Sequence, residues 1–208
     1  MWTRTPARAA IHCKATTRAR TPSTRTASPR SRIDPACTRR WRVTWTGCPT
    51  DHRILASWLE AERGVTVRMT NGFDGLRAEL PPPTRRAVVL MDPSYELERD
   101  YTLVVNTLRE AVTRFAQGTY VVWYPQVGRV VAQELPKRLQ ALAPGGWLNA
   151  RLTVQPPDAQ GFGLVGSGVF VINPPHTLHA DLQAALPGVH AALNRFEGGS
   201  WRLDQRPA

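Results

Sequence analysis

A carboxylate and an aromatic residue stand together at the end of one hydrophobic run in the sequence. Residues 87–91 are five consecutive apolar residues, and Asp92, Pro93, Ser94 and Tyr95 follow them directly. Such a run, too short for a helix, predicts a strand that is buried on both faces. Because ligands of open α/β sheets bind beyond the carboxyl ends of the strands, these four residues are candidates for an active-site loop, in which the carboxylate accepts hydrogen bonds or a proton. An ordinary strand-to-helix turn built with Asp and Pro explains the same pattern.

The residues after this loop predict a helix and a second buried strand. Six apolar residues recur at helical spacing before Gly118, which is a typical helix end: Tyr101, Val104, Val105, Leu108, Val112 and Phe115. Residues 119–124 form the next apolar run, and Pro125 ends it. A strand, a helix and a strand at this spacing predict a βαβ unit with a right-handed crossover.

Three ordered blocks of the sequence resemble one family of enzymes. Asp92-Pro93-Ser94-Tyr95 is similar to the Asp/Asn-Pro-Pro-Tyr signature of the amino-group (N6-adenine) methyltransferases. The stretches PPPTRRAVVLMDPSYE, GTYVVWYP and GSGVFVINPP, in that order, resemble the bacterial family that methylates an adenine N6 in 23S ribosomal RNA, ribosomal large-subunit methyltransferase J. The resemblance covers about residues 50–200. It implies an α/β, Rossmann-like fold of the class I S-adenosylmethionine-dependent methyltransferases.

The resemblance also implies a catalytic role for Asp92, Pro93, Ser94 and Tyr95. An exocyclic adenine amine is a poor nucleophile because its lone pair is delocalised into the ring. A carboxylate such as Asp92 and a backbone carbonyl of the loop accept its two N–H bonds, which favours attack on the methyl group of the sulfonium donor, and a nearby carboxylate takes the proton. Tyr95 is expected to stack on the base once the base has left the RNA stack. Ser94 replaces the second proline of the family motif, which loosens the loop.

Asn71 and Gly72 are predicted to bind the cofactor, S-adenosylmethionine, together with Asp92. They follow a short predicted strand, residues 65–69, and stand where the family carries Asp-Gly-aromatic. The resemblance implies that the family's acid accepts a hydrogen bond from the adenine amino group of the cofactor. Asn71 keeps one such acceptor, its amide oxygen. A plain Asn-Gly turn is the alternative.

The C-terminal part predicts the closing elements of the same fold. A weaker helix over residues 129–142 is followed by an alternating, half-covered strand over residues 148–154. Residues 168–173 form the last predicted strand, which gives the antiparallel closing hairpin usual in this methyltransferase fold. A final helix begins near Leu178 and is expected to break at Pro187-Gly188.

The first 48 residues differ in composition from residues 49–208, which we predict to be the C-terminal part of a methyltransferase domain. Residues 1–50 hold eleven of the 27 Lys and Arg residues, one of the 16 acidic residues and all three cysteines, whose spacing fits no metal site. Taken at face value, the segment is a disordered basic arm that binds RNA phosphates by counterion release. It also resembles an Arg-rich transit peptide.

The genetic code offers a third interpretation of residues 1–48. Back-translated with degenerate codons and read two bases later, MWTRTPARAAIHC permits VDTHAGAGRYSL, which resembles the glycine-rich donor-binding loop of the family. We therefore interpret the segment as an out-of-frame translation of the cofactor half. The family's first strand would then be missing, and one edge of the Asp92 strand would lie open. On this basis we expect a chain that is marginally stable or aggregates and does not bind S-adenosylmethionine.

Other candidate residues have plainer explanations. His176, His179 and His190 have no Cys or paired acids near them in sequence, so we predict packing or surface histidines and no metal. Residues 123–125 (Trp-Tyr-Pro) fill the core or help to sandwich a base. Residues 173–176 (Asn-Pro-Pro-His) mimic the methyltransferase motif but close the last strand, so we predict a turn.

Two hypotheses of different class follow from the sequence. In the first, the gene encodes an S-adenosylmethionine-dependent methyltransferase that acts on 23S ribosomal RNA, and this chain is truncated and inactive. In the second, the chain is a non-catalytic basic RNA-binding fragment or a pseudogene product. No run of about 18 apolar residues and no apolar signal-peptide core is present, so we expect no membrane segment and, with the rRNA resemblance, a cytoplasmic location.

Overall fold

The computed structural model describes residues 8–12, 41–45, 49–61, 65–156, 163–193 and 198–207. Of the first 48 residues it therefore describes two strands, β1 (Arg8–His12) and β2 (Trp41–Trp45). The prediction of a disordered or out-of-frame segment otherwise lies outside the described residues and stays a prediction.

Five helices and six further strands follow in the described part of the chain. The helices are α1 (Pro49–Leu59), α2 (Gly72–Glu79), α3 (Glu98–Arg114), α4 (Val130–Gln140) and α5 (Leu178–Leu193). The strands are β3 (Val65–Met69), β4 (Val88–Asp92), β5 (Thr119–Gln126), β6 (Trp147–Thr153), β7 (Gly166–Ile172) and β8 (Ser200–Arg206). None of the helices in this part is long and apolar enough to cross a membrane.

The described strands form one mixed sheet in the order β3-β2-β1-β4-β5-β7-β6-β8. Strand β4 is parallel to β5, with Met91 opposite Val122, so the predicted βαβ unit of β4, α3 and β5 is confirmed. The predicted closing hairpin is also confirmed, because β6 and β7 pair antiparallel. A mixed sheet with helices agrees with the predicted α/β methyltransferase fold.

The prediction that one edge of β4 lies open is wrong. Strand β1 pairs antiparallel with β4, from Arg8 opposite Asp92 to His12 opposite Val88, and antiparallel with β2 on its other side. Backbone pairing places few demands on side chains, so a short segment of unusual composition occupies this position in the sheet.

Alternating side chains of the central strands supply two hydrophobic clusters. Phe170 and Ile172 of β7 point into the larger cluster with α3 and α4, whereas Val171 points into a smaller cluster that includes Leu186 of α5. Strand β4 is less covered than predicted, because Val89 and Met91 are buried but the residues that alternate with them, Val88, Leu90 and Asp92, are only partly buried. The strand is therefore fully buried on one face only.

Two predictions about the C-terminal part are wrong. Helix α5 continues through Pro187 to Leu193, and strand β8 follows the strand that was predicted to be the last. An interior proline costs about 3 kcal/mol relative to alanine. Leu178, Leu182 and Leu186 recur every four residues and pack against the smaller cluster, which offsets that cost.

Candidate active site

The Asp92 loop lies at the carboxyl edge of the sheet, as the sequence predicted. Because β4 and β5 run parallel, the residues that follow Met91 lie beside those that follow Val122. Asp92 and Ser94 are half-buried, and Pro93 and Tyr95 are buried. The loop is therefore adjacent to Trp123, which β5 places at the same edge.

Tyr95 packs inward instead of presenting its ring to solvent. The residue is 3% exposed, and its ring lies 4.7 Å from the Tyr101 ring and 6.2 Å from the Trp123 ring, measured between centroids. Its hydroxyl donates to the backbone carbonyl of Trp123 at 2.8 Å. Burial above all, with Tyr101 and the carboxylate of Asp92 adding to it, raises the pKa of Tyr95 well above its usual value. In this conformation the ring offers no free face to a stacked base.

Arg129 fixes the loop from the start of α4. Its Nη1 donates to the backbone carbonyl of Glu96 at 2.9 Å and lies 3.4 Å from that of Tyr95. Arg129 is also the residue before the first turn of α4, where its own carbonyl accepts from Ala132. The loop after β4 and the helix after β5 are thus joined by one side chain. No pattern in the sequence indicates this role, because the partners of Arg129 are backbone groups more than thirty residues away.

A cleft of about 620 Å³ opens beside the loop. Its walls come from the Asp92 loop, from α3, from the end of β5 and from the chain before β7: Ser94, Tyr95, Glu96, Tyr101, Trp123, Pro125, Val127, Gly128, Arg129, Gly163 and Leu164. Aromatic rings and a guanidinium therefore surround a space of the size that small ligands occupy. The two roles predicted for residues 123–125 apply to different residues. Tyr124 is buried and its hydroxyl donates to Asn149 Oδ1, whereas Trp123 and Pro125 line the cleft.

Asn71 and Gly72 begin a helix and do not form an isolated turn. The Asn71 amide oxygen accepts from the backbone N–H of Phe73 at 2.9 Å, which makes Asn71 the N-cap of α2, and Gly72 is the first helical residue. Two strands, β2 and β1, separate β3 from β4. Met69, at the end of β3, is in register with Asp92 across these strands, and at about 4.8 Å per strand the two lie ~14 Å apart along the sheet edge.

The chain next to Asp92 does not fit the methyl donor that the family uses. In the fold implied by the resemblance, a glycine-rich loop leaves the carboxyl end of the strand beside β4. Here that strand is β1, whose amino end, Arg8, lies opposite Asp92, so its carboxyl end lies at the other edge of the sheet. The sequence before Gly47 also contains no glycine. The strand that the structure describes beside β4 therefore does not direct a donor-binding loop toward Asp92.

Asn173 of the Asn-Pro-Pro stretch lies far from the candidate site. Strand β7 runs antiparallel to β5, so Asn173 follows Ile172 at the edge where β5 begins. Its Nδ2 donates to the carbonyls of Ala116 and Gly118, at 2.7 and 2.8 Å, and its backbone has φ 53°. The predicted turn is thus also a clamp on the connection between α3 and β5.

The predicted absence of a metal site stays a prediction. His179 and His190 belong to α5 and His176 precedes it, and nowhere in the described ranges do three His, Cys, Asp or Glu residues come together.

Comparison with known proteins identifies the family. The sequence model of a family described as ribosomal RNA large subunit methyltransferase D, RlmJ, matches residues 38–206. Ribosomal RNA large subunit methyltransferase J of Haemophilus influenzae is 41% identical over 156 residues, which cover 75% of this chain and 55% of that protein. The Escherichia coli protein of the same name is 37% identical over 145 residues, or 70% of this chain and 51% of that one.

A solved structure shares the fold. A Legionella pneumophila protein described as DUF519 superposes with a TM-score of 0.70 at 25% identity, covering 78% of this chain and 60% of that one. The chain spans about half the length of the two methyltransferases that it matches. On the family match and the identities together, this chain belongs to the ribosomal RNA large subunit methyltransferase J family.

Proposed function

We propose that this chain carries the base-binding half of an enzyme that methylates the N6 amine of an adenine in ribosomal RNA, specifically 23S rRNA. The observation that carries the proposal is the Asp92 loop beside a cleft walled by Trp123 and Arg129 at the carboxyl edge of the sheet. Ligands of this class of sheet bind at that edge. The relatives named above support the choice of substrate, and a cytoplasmic location goes with it.

In the proposed mechanism Asp92 and the loop backbone hold the adenine amine. The Asp92 carboxylate accepts one N–H of the amine and a loop carbonyl accepts the other, which makes the nitrogen lone pair available for attack on a methyl group. The base reaches the cleft by leaving the RNA stack, as base-modifying enzymes require. A proton released by the amine passes to a carboxylate at this site.

The hydrogen bonds of Arg129 compensate for Ser94, which replaces the second proline of the family motif. A proline at that position would restrict φ, whereas serine leaves the loop more freedom. The hydrogen bonds from Arg129 to the carbonyls beyond Ser94 restrict the same segment from outside. The loop geometry that the amine needs is thus held by a side chain from α4 in place of the second proline.

S-adenosylmethionine is the donor expected of this family, and we propose that the chain as it stands does not bind it. The direction of β1 and the lack of glycine before Gly47 support this proposal. Isothermal titration of the 208-residue chain with S-adenosylmethionine is expected to show no heat of binding. Saturable binding at micromolar concentration would refute it.

A restored gene tests the enzyme itself. Genomic DNA from a few hundred bases upstream of Met1 through codon 60 is resequenced, and a reading frame that joins a glycine-rich loop to Asp51 is expressed. This longer protein is expected to transfer a labelled methyl group to 23S rRNA that lacks the modification, and Asp92→Ala is expected to abolish the transfer. Transfer that survives Asp92→Ala would remove Asp92 from the mechanism.

If resequencing confirms the reading frame of residues 1–50, the second candidate function is favoured, because the basic residues of this segment then form a genuine arm. RNA binding by that arm would fall steeply with salt and would not depend on Asp92. Equal RNA affinity of the wild type and Asp92→Ala, with a steep salt dependence, would identify the chain as a non-catalytic RNA-binding fragment.

A further inference from the structure

Tyr101 is unlike the other three tyrosines of the chain. Tyr95, Tyr120 and Tyr124 each donate their hydroxyl within the protein: to the Trp123 carbonyl, to the carbonyls of Ala111 and Phe115, and to Asn149 Oδ1. Tyr101 is 0% exposed, and its hydroxyl has no hydrogen-bond partner among the described residues. Buried hydroxyls are nearly always paired, so this one calls for an explanation.

Packing alone does not explain the hydroxyl. Tyr101 sits in the first turn of α3 within the larger hydrophobic cluster, where phenylalanine would fill the same volume without the loss of a water hydrogen bond. A tyrosine at this position is therefore less favourable for folding than the residue that lacks the oxygen. The oxygen is accounted for if its partner is a ligand.

The position of Tyr101 indicates which ligand. Tyr101 lines the cleft beside the Asp92 loop, and the ring that packs on it is Tyr95 of that loop. Tyr95 is held there in a left-handed backbone conformation, φ 54°, which is unfavourable for a bulky residue. Both rings belong to the lining of the cleft, so the Tyr95 ring is the neighbour of Tyr101 on that side.

We propose that the Tyr101 hydroxyl donates a hydrogen bond to a ring nitrogen of the target adenine, and that Tyr95 covers it until the base enters. The inference rests on the proposed function and adds to it the group that recognises the ring. Adenine presents its amino donor between two acceptors, N1 and N7. Asp92 provides an acceptor for the amine, so the complementary group for the neighbouring nitrogen is a donor. Burial raises the pKa of Tyr101, which keeps the hydroxyl protonated and able to donate at neutral pH.

The test compares two single-hydroxyl deletions in the full 208-residue chain. Tyr101→Phe removes the unpaired hydroxyl of the cleft, and Tyr120→Phe removes a buried hydroxyl that serves only α3. The probes are two labelled single-stranded RNA oligonucleotides, identical except that one has a central adenosine and the other an abasic site at that position. Affinity is measured by fluorescence anisotropy, and the thermal midpoint is measured for each protein.

The expected result is a base-dependent loss that is separate from stability. In the wild type the adenosine RNA binds more tightly than the abasic RNA, and Tyr101→Phe lowers the affinity for the adenosine RNA roughly tenfold, the size expected of one hydrogen bond. Its thermal midpoint stays level or rises. Tyr120→Phe lowers the thermal midpoint and leaves the ratio of the two affinities unchanged.

Failure of the inference and failure of the proposed function give different results. Equal wild-type affinity for the two RNAs refutes a base site in the cleft, and with it both proposals. A wild-type preference for adenosine that persists in Tyr101→Phe refutes only the role of Tyr101. A second measurement uses only the wild-type protein and replaces the adenosine of the RNA by its 1-deaza or its 7-deaza analogue. One of the two analogues is expected to bind about tenfold more weakly, as Tyr101→Phe binds the adenosine RNA. If neither analogue binds more weakly, the inference is overturned.

Discussion

The clamp formed by Asn173 supports a quantitative prediction, because substitutions separate its two contributions to the free energy of unfolding, the side-chain hydrogen bonds and the tolerance of a positive φ. Asn173→Ala removes the Nδ2 hydrogen bonds to Ala116 and Gly118 and leaves a residue with a Cβ at φ 53°. The bond to Gly118 is partly buried and contributes about 1 kcal/mol, the exposed one about 0.5 kcal/mol, since water replaces it. Alanine in a left-handed conformation costs about 1 kcal/mol more. The free energy of unfolding is therefore expected to fall by about 2–3 kcal/mol in Asn173→Ala.

Matched variants of Asn173 isolate the two contributions. Asn173→Gly loses the same hydrogen bonds but tolerates positive φ, so it is expected to be about 1 kcal/mol more stable than the alanine variant. Asn173→Asp keeps the size but turns an acceptor toward two carbonyls, and it is expected to be the least stable. Urea unfolding of the chain followed by tryptophan fluorescence measures all three. If alanine and glycine are equal, the backbone argument fails. If Asn173→Ala is fully stable yet the restored enzyme loses methyl transfer, the assignment of Asn173 as a clamp distant from the chemistry is wrong.

Three further predictions concern the loop, the sheet and the tyrosines. Arg129→Ala is expected to lower RNA affinity about fivefold with little change in thermal midpoint, because its bonds to two backbone carbonyls fix the Asp92 loop without being part of the hydrophobic core. Arg129→Lys should recover only part of the affinity, and an unchanged affinity in Arg129→Ala would argue against a role of Arg129 in fixing the loop. Ala10→Pro places a residue without an N–H in β1, which has paired neighbours on both sides, and should lower the free energy of unfolding by about 3 kcal/mol in urea; no effect would mean that β1 is not paired as described. Burial raises the pKa of Tyr124 to about 12 from 10.0, so the folded state holds a proton that the unfolded state releases. Stability should therefore be intact below pH 10 and decline toward pH 12, and Tyr124→Phe should flatten that decline in thermal midpoints measured across this range; an equal decline in both proteins would contradict the assignment.

The sequence predicts the βαβ unit of β4, α3 and β5 best, because the signals for these elements come from residues that are neighbours in the sequence. An apolar run of five residues, a helix with apolar residues at three- and four-residue spacing and a second apolar run each depend on neighbours in the sequence. The sequence does not predict strand β8, because its only large apolar residues, Trp201 and Leu203, alternate with the charged residues Arg202 and Asp204, as an edge strand allows. Local propensity predicts a break in helix α5 at Pro187-Gly188, but the packing of its leucines in the smaller cluster keeps the helix continuous.

The loop itself could be predicted from the sequence, but the state of its aromatic residue could not. The resemblance of the motif to that of the N6-adenine methyltransferases predicts that Tyr95 presents its ring to a base and stacks on it. Its inward position depends on the Trp123 carbonyl, 28 residues away, and on the ring of Tyr101. Arg129 likewise acts through backbone carbonyls, which carry no sequence signal. Contacts made to the backbone across elements are the part of a site that residue types do not reveal.

The direction of β1 explains how the sheet can be complete in a chain that we propose lacks the donor site. Pairing with β4 requires only a short extended backbone, and an antiparallel strand satisfies the edge of β4 as well as a parallel one does. Donor binding depends on direction, because the loop that holds a cofactor must leave a carboxyl end at the edge where Asp92 lies. Reversing the strand keeps the hydrogen bonds and moves that end to the opposite edge. Stability of the sheet and capacity for methyl transfer are therefore separable properties in this chain, and a folded, soluble product would not by itself indicate an active one.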